Sequence, residues 1–258
     1  MTTPHKYNQI KHTFKVVRSV PNASDIKFAA ISQPLATLPP KVDLRPHCPP
    51  VYDQGELGSC TGNAIAGAFE YDMLKQGQPP MTPSRLFIYY NERLMEGDVG
   101  QDNGAQIRDG ITSIASNGVC NENLWPYNPS QFAVKPSAAA YSDAAKHKAL
   151  KFYTLNIDLT DVKQALAQGY PIVAGIMVFE SFESDYVAQT GNVPMPNSSE
   201  QPLGGHAVMI VGYDDSAQHL IMRNSWGAEW GMAGYFMLPY GYLNNGLMTD
   251  LWVVTAIV

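Results

Sequence analysis

The fold is decided by the stretch Pro50-Val51-Tyr52-Asp53-Gln54-Gly55-Glu56-Leu57-Gly58-Ser59-Cys60 and by the residues that follow it. After Cys60, apolar residues recur four positions apart at 65, 69 and 73, which predicts an amphipathic helix ending near Gly77. Cys60 would stand at the N-terminus of this helix, where unpaired backbone N–H groups and the positive dipole end favour a thiolate. The stretch therefore presents Cys60 as a candidate nucleophile.

Two further motifs nearer the C-terminus would complete a thiol acyl-transfer site. His206 lies in Gly204-Gly205-His206-Ala207-Val208, and Asn224 lies in Arg223-Asn224-Ser225-Trp226-Gly227. A cysteine with an ordinary pKa of about 8.5 is only a few per cent thiolate at neutral pH, so a hydrolase must stabilise the anion. His206 would form an ion pair with Cys60 and protonate the leaving amine, while Asn224 would orient the imidazole.

Gln54, which precedes Cys60 by six positions, supplies a candidate oxyanion donor. A side-chain amide and the backbone N–H of the nucleophile can together bind the oxyanion of a tetrahedral intermediate, and one such donor contributes about 3 to 4 kcal/mol. A lone cysteine is more often a small buried apolar residue than a nucleophile. Four residues in this order, with His206 following Cys60 by 146 positions and Asn224 by 164, favour the catalytic interpretation.

These motifs resemble those of papain-like cysteine peptidases, over roughly residues 42 to 258 from Val42-Asp43-Leu44-Arg45 onward. The resemblance implies an α+β fold of two subdomains, with a helical left subdomain, an antiparallel β-barrel as the right subdomain and the active site in the cleft between them. Two positions depart from the pattern. Leu57 stands where many members have a second cysteine, and Thr61 stands where plant and animal members have an aromatic residue. Thr61 indicates a divergent, microbial branch, and Leu57 means that the disulfide formed by the second cysteine is missing.

Four substrate-binding positions also follow from the resemblance. The segment Asp102-Asn103-Gly104-Ala105 resembles the Gly-rich segment whose backbone hydrogen-bonds an extended substrate. Gly104 is the matching glycine, and Asn103 stands where another glycine is usual; a plain turn before the next helix is the alternative. Gly205 precedes the candidate histidine, and Trp226 resembles the indole that shields the His–Asn bond from water.

The residue pattern changes between the two halves of the chain. Helices are predicted from Thr82-Pro83 through Leu94, from Ala105 to Ser116, and from Asp161 to Gln168 with Thr160 as N-cap. Runs rich in β-branched and aromatic residues predict strands at Pro171–Val178, His206–Tyr213, His219–Arg223, Gly234–Leu238 and Asp250–Ile257. A helical half, about 41–125, would carry Cys60, and a mostly β half, about 126–258, would carry His206 and Asn224.

The first 40 residues precede the resemblance and occupy the place of a propeptide. Two strand-like runs, 14–18 and 26–31, are separated by a segment of turn-forming composition and predict a β-hairpin. The hypothesis is that this leader, residues 1–40, is a short prosegment in which residues 10–35 contact the cleft or the barrel. A non-inhibitory N-terminal extension is the alternative.

Composition excludes several other classes of protein. The chain has 258 residues, 45% hydrophobic and 16% charged, which suits one compact unit with a sizeable core. The sequence contains no run of about 18 apolar residues, so no membrane span is predicted. A net charge of −6 gives no basic surface for nucleic acid.

The cysteines and the N-terminus say little about the compartment. The chain contains three cysteines and no CxxC pair, so neither a dense disulfide framework nor a structural zinc site is expected. Cys48 and Cys120 would form a single disulfide or remain two thiols. The polar start Met1-Thr2-Thr3-Pro4-His5 carries no secretory signal, so a secreted location is only what the resemblance implies.

The function implied by the resemblance is that of a cysteine-type endopeptidase acting on a peptide or protein substrate, with no metal or organic cofactor. Two other classes stay open. An aminopeptidase or amidase would use the same four residues in a cleft closed at one end, and a binding or inhibitory homologue would keep the fold without turnover.

Overall fold

A computed structural model describes residues 12–20 and 22–258 of the chain. Seven α-helices lie in this part of the chain: α1 (Cys60–Lys75), α2 (Arg85–Glu96), α3 (Ile107–Ser116), α4 (Ala138–Ala144), α5 (Leu159–Ala167), α6 (Asp185–Thr190) and α7 (Gly241–Asn244). Seven strands form one sheet: β1 (Lys41–Asp43), β2 (Ala149–Thr154), β3 (Ile172–Phe179), β4 (Pro202–Asp214), β5 (His219–Arg223), β6 (Tyr235–Pro239) and β7 (Met248–Ile257).

Helix α1 is the central helix of the molecule. It begins at Cys60, as predicted, and ends two residues before Gly77, whose φ of +68° suits only glycine without strain. Every residue from Cys60 to Met73 is buried, because α2 packs on one side and strands β4 and β7 on the other. The predicted amphipathic character is therefore wrong, since an all-buried helix needs no polar face.

The other predicted helices are present with shifted starts. Ser84, not Thr82, caps α2, because its hydroxyl accepts a hydrogen bond from the Phe87 N–H at 3.1 Å. Asp158, not Thr160, caps α5, because its carboxylate accepts from the backbone N–H groups of Thr160 and Asp161. In both helices an earlier or later capping side chain reaches the free N–H groups better than the predicted one.

The sheet is antiparallel in the order β2-β7-β3-β4-β5-β6, with β1 paired to β4. It is not closed into the expected barrel, because β2 and β6 do not pair with each other. Each edge is covered by an irregular segment instead: Thr154 of β2 forms a bridge with Lys27, and Met237 of β6 forms one with Asn192. Covered edges need no closure to avoid unpaired backbone groups.

The two halves meet along the length of α1. Helices α2 and α3 pack on α1 from one side, and α1 lies directly on β4 and β7. Strand β1 belongs to the sheet, although its residues fall within the predicted helical half, because it pairs with the end of β4. Asp43 pairs with Gly212 in this register, where the glycine admits the close approach of β1.

The leader does not form the predicted β-hairpin in its described residues. Lys15 forms a parallel bridge with Gly205 of β4, while Phe28–Ala30 is a turn of 3₁₀ helix whose Phe28 is 3% exposed. Phe28 packs edge-on against Tyr153 and Tyr170 at centroid distances of 6.3 and 5.8 Å. Both runs find partners on the body of the protein, so neither needs the other. Residues 1–11 of the predicted prosegment lie outside the described residues.

All three cysteines are free thiols, so the pairing considered for Cys48 and Cys120 does not occur. Among residues 12–20 and 22–258, no helix has the length and apolar character needed to cross a bilayer.

Candidate active site

Cys60 is the first residue of α1 and is fully buried. The loop before it is held by a tyrosine and an asparagine. The Tyr127 hydroxyl lies 2.6 Å from Ser59 Oγ and donates to the Gln54 carbonyl at 2.9 Å, and Asn63 Nδ2 donates to the Ser59 carbonyl at 2.9 Å. These bonds fix the direction in which the helix presents its first residue.

His206 and Asn224 come together from neighbouring strands. His206 lies within β4, and Asn224 follows the end of β5, the strand that pairs antiparallel with β4. His206 Nε2 lies 2.8 Å from Asn224 Oδ1, which also accepts a hydrogen bond from the Ser225 N–H at 2.8 Å. Because that oxygen only accepts, Nε2 carries the proton. His206 Nδ1 is buried without a partner in the described residues, so its lone pair is free for a proton.

Gln54 is buried and its amide is oriented by two contacts. Its Oε1 accepts from Ser225 Oγ at 2.6 Å, and its Nε2 donates to the Leu57 carbonyl at 2.9 Å. An amide nitrogen carries two hydrogens, so one remains for a ligand beside Cys60. The same Ser225 thus links the segments that carry Gln54 and Asn224.

Trp226 covers the imidazole. Its ring is 3% exposed and stacks on His206 with a centroid distance of 5.1 Å and an interplanar angle of 28°. Trp230 meets Trp226 edge-on at 5.0 Å and packs against Phe182 in the core. The aromatic cluster excludes water from the side of the His206–Asn224 bond, which strengthens that bond.

Burial controls the charge state of the pair in this structure. Burial raises the pKa of the Cys60 thiol to about 12, although contact with the Ala207 backbone N–H opposes the rise. Burial also lowers the pKa of His206 to about 4, against the effect of Asn224. The site therefore holds a neutral thiol and a neutral imidazole here, rather than the expected thiolate–imidazolium pair.

Residues 12–17 of the leader occupy the cleft. The His12 ring stacks on Trp226 at 3.7 Å, and the Phe14 ring meets His206 edge-on at 5.9 Å. The Val16 N–H donates to the Gly205 carbonyl at 3.0 Å. Residues 12–16 thus lie directly over the candidate histidine and its covering indole.

Both walls of the cleft accept bonds from the leader. The Val17 N–H donates to the Ala105 carbonyl at 3.4 Å, and Lys15 Nζ donates to the Asp102 carbonyl. On the sheet side a Cβ added to Gly205 would lie 2.5 Å from the Val16 carbonyl oxygen, and one added to Gly104 would lie under 3.0 Å from the Lys15 backbone. Only glycine permits a backbone to approach so closely.

Three of the four predicted substrate-binding residues line the groove, and one does not. Gly104, Gly205 and Trp226 all line the groove that the leader fills. Asn103 does not, because its side chain donates to Asp98 Oδ2 at 2.7 Å in the adjoining loop. The neighbouring Ala105 provides the groove's carbonyl instead.

Sequence patterns did not reveal the residues that support the nucleophile loop. Asp102 accepts from the Gly58 N–H at 3.1 Å and from the Tyr89 hydroxyl, and Tyr127 holds Ser59. Tyr127 lies 68 positions from Ser59, so no local pattern links the two residues. Within the described residues, no group of three or more His, Cys, Asp or Glu is arranged to hold a metal ion.

Comparison with known proteins identifies the family. A model described as "Papain family cysteine protease" matches residues 38–254. The chain belongs to the papain family of cysteine proteases. It is therefore a peptidase, and the fold predicted from the family resemblance is confirmed apart from the closure of the barrel.

Relatives within the papain family include microbial proteins, as predicted. The chain is 41% identical over 274 aligned positions to an uncharacterized peptidase C1-like protein of Acanthamoeba polyphaga mimivirus, covering 96% of this chain and 88% of the viral one. It is 38% identical to xylellain, a cysteine protease from Xylella fastidiosa, whose crystal structure matches with a TM-score of 0.89 over 96% of this chain and 98% of that one.

A more distant papain-family structure shares the fold alone. Digestive procathepsin L 3 of the Tenebrio molitor larval midgut is 23% identical, with a TM-score of 0.68 over 97% of this chain and 77% of that one.

In this chain, Leu57 packs against Leu86, Tyr89 and Ala105, so the position where many members have a cysteine is filled by apolar contacts.

Proposed function

We propose that the chain is a cysteine endopeptidase in which Cys60, His206, Asn224 and Gln54 carry out peptide-bond hydrolysis. The observation that carries this proposal is the His206–Asn224 bond of 2.8 Å, which leaves Nδ1 unpartnered in the same buried site as Cys60. An imidazole held in this tautomer can take the thiol proton at Nδ1 and later return it.

In the first half of the reaction, His206 Nδ1 takes the proton of the Cys60 thiol, and the thiolate attacks the scissile carbonyl carbon. The electron pair of the C=O bond moves to oxygen, where Gln54 Nε2 and the Cys60 N–H stabilise the oxyanion. Collapse of this intermediate breaks the C–N bond. The leaving amine receives the proton from His206, and the acyl group remains on sulfur as a thioester.

In the second half, a water molecule gives a proton to His206 Nδ1 and attacks the thioester carbonyl. The C–S bond breaks, the thiolate leaves and is reprotonated by His206, and a carboxylic acid is released. Asn224 acts through orientation, because it fixes Nε2–H and leaves Nδ1 for both transfers.

The leader is proposed to inhibit this reaction until it is displaced. This inhibitory role is supported by the contacts of residues 12–17 with both walls of the cleft, and by the burial that keeps Cys60 and His206 neutral. A substrate chain needs the same glycines and the same carbonyl of Gly205. Substrate and leader therefore compete for one groove.

The test compares full-length proteins. In an opened variant, Phe14→Ala/Val16→Pro, the ring on His206 and the N–H bonded to Gly205 are both removed. We expect this variant to hydrolyse an unfolded protein with acetylated amino termini faster than the wild type, and Val20→Ala, a leader change at a 73% exposed side chain, to behave like the wild type. Cys60→Ser in the opened background should be inactive.

Two results would contradict the proposal. Hydrolysis restricted to peptides with a free amino terminus would replace the endopeptidase assignment with an exopeptidase. An opened variant that cleaves neither acetylated nor free substrates would overturn catalysis at this site.

A further inference from the structure

Glu92 is a fully buried carboxyl group behind the nucleophile helix. It lies on α2, and the hydroxyl of Thr61 on α1 donates to its Oε1. Its Oε2 has no partner among the described residues. A buried carboxyl group with one oxygen unpaired is costly, and such groups persist where they serve a role.

Thr61 connects Glu92 to the reacting sulfur. It follows Cys60 directly, and both residues lie in the first turn of α1. Hydrogen bonding by the Thr61 backbone N–H is among the effects that lower the pKa of Cys60. The Thr61 side chain is therefore anchored to α2, while its backbone faces the thiol.

A third helix closes the space around Glu92. A Cβ added to Gly110 of α3 would lie under 3.0 Å from both Glu92 Oε2 and Ile65 Cδ1, so glycine is needed where α3 crosses. Three helices thus meet at this carboxyl group.

We propose that Glu92 is a positioning residue: it holds Thr61, and with it the first turn of α1, in the orientation that stabilises the Cys60 thiolate. This inference rests on the proposed function, because it concerns the reactivity of the same thiol. The position after the nucleophile, where Thr61 departs from the familiar pattern, then has a role in this chain.

The surroundings of Glu92 favour its neutral, protonated form. Burial raises the pKa of Glu92 well above its usual range, although the hydrogen bond from Thr61 opposes the rise, and the charges of Glu96 on α2 and Asp109 on α3 add to it. Arg93 opposes them, but its guanidinium is engaged with the carbonyls of Val99, Gln101 and Phe132.

A neutral Glu92 also suits the chemistry of Cys60. A negative charge on Glu92 would raise the pKa of the thiol, because like charges in a low-dielectric interior repel strongly. A neutral acid accepts the Thr61 hydrogen bond without this repulsion.

The experiment measures the rate at which iodoacetamide alkylates Cys60 against pH in the full-length opened variant, together with kcat/KM. Thr61→Val and Glu92→Leu, which each remove the hydrogen bond, should lower both quantities by about tenfold at pH 7 and move the alkylation profile to higher pH. Thr61→Ser and Glu92→Gln keep a hydroxyl donor and an uncharged acceptor, so they should stay within about twofold of the parent.

Thermal unfolding of each variant separates positioning from simple support of the fold. If Thr61→Val loses thermal stability but keeps the parent's alkylation profile, the inference is overturned and Glu92 only joins two helices. A tenfold loss in Glu92→Gln would also overturn it, because the role would then require a charge. If Glu92→Leu fails to fold, the comparison of Thr61→Val with Thr61→Ser tests the inference without it.

The same series separates this inference from the proposed function. An opened parent whose Cys60 shows no enhanced alkylation contradicts the proposed function, and the inference falls with it. An active opened parent with an unaffected Thr61→Val variant overturns the inference alone.

Discussion

Local sequence motifs place Cys60 and His206, but burial determines whether each side chain is charged or neutral. The helix end, the Asn224 carbonyl and the Gln54 amide all favour charge in the site. Burial opposes them and wins, since the pKa values of about 12 for Cys60 and about 4 for His206 describe a neutral pair. Reactivity at the residue scale therefore depends on uncovering the site.

Gln54 provides the sharpest prediction at this scale. Gln54→Ala in the opened variant should lower kcat by about 10²- to 10³-fold, because one donor to the oxyanion is lost. The value of KM should change much less, since the donor acts mainly in the transition state. Steady-state kinetics measures both values.

A matched control guards against a folding defect at Gln54. Ser225→Ala removes the hydrogen bond to Gln54 Oε1 but leaves the amide donor present, so its loss of kcat should be smaller. Equal kcat values for Gln54→Ala and its parent would exclude an oxyanion role for this side chain.

At the scale of elements, the leader pairs with β4 as if it were an added strand. Gly205→Ala should weaken this pairing, because the new Cβ would lie 2.5 Å from the Val16 carbonyl oxygen. Cys60 of the full-length variant should therefore be alkylated faster than that of the wild type. Gly100→Ala is the matched control, since an added Cβ there meets nothing within 4 Å. If both variants match the wild type, the contact at Gly205 does not hold the leader.

The regular elements could be predicted from sequence because each carries its own periodic pattern. Strand β5 has the predicted bounds, His219–Arg223, and β3, β4, β6 and β7 differ from prediction mainly at their ends. Strand β2, Ala149–Thr154, was missed because it is only partly buried and contains Lys151. The open sheet was also missed, because its edges pair with irregular segments distant in sequence.

The residues of the candidate site also differ in whether the sequence could predict them. Gln54, Cys60, His206 and Asn224 lie in short motifs, so their positions could be predicted. Tyr127 and Glu92 could not, because each is defined by tertiary contacts: Tyr127 is 68 positions from Ser59, and Glu92 is 31 from Thr61. Contacts between elements leave no local pattern in a single sequence.

At the scale of the whole molecule, the covered and uncovered forms should differ in their response to pH. With the leader in place the pKa of His206 is about 4, and without it the value should return toward its ordinary 6.5. The uncovered form then binds more protons, so acidification from about pH 6.5 toward 4 favours it. The pKa of Cys60 is raised in the covered form, so alkalinity above the ordinary cysteine pKa of about 8.5 also favours the uncovered form, which releases the thiol proton more readily.

Hydrogen exchange in Cys60→Ser, which has no thiol to cut its own leader, measures this equilibrium on the acid side. Protection of the Val16 and Val17 amides, corrected for the intrinsic rate, should fall by at least about tenfold between pH 7 and pH 5. The Ile88 amide, bonded to the Ser84 carbonyl within the helical part, should keep its protection. Equal protection of the leader amides at both pH values would contradict the linkage.

The central claim, an activated thiol at Cys60 covered by the leader, is tested most directly by mass-spectrometric labelling with a peptidyl epoxide. The chain carries its own references, because Cys48 and Cys120 are also free thiols and Cys48 is more exposed than Cys60. We expect rapid labelling of Cys60 alone in the Phe14→Ala/Val16→Pro variant and slow labelling in the wild type. Labelling of Cys48 at least as fast as Cys60 in the opened variant would contradict it.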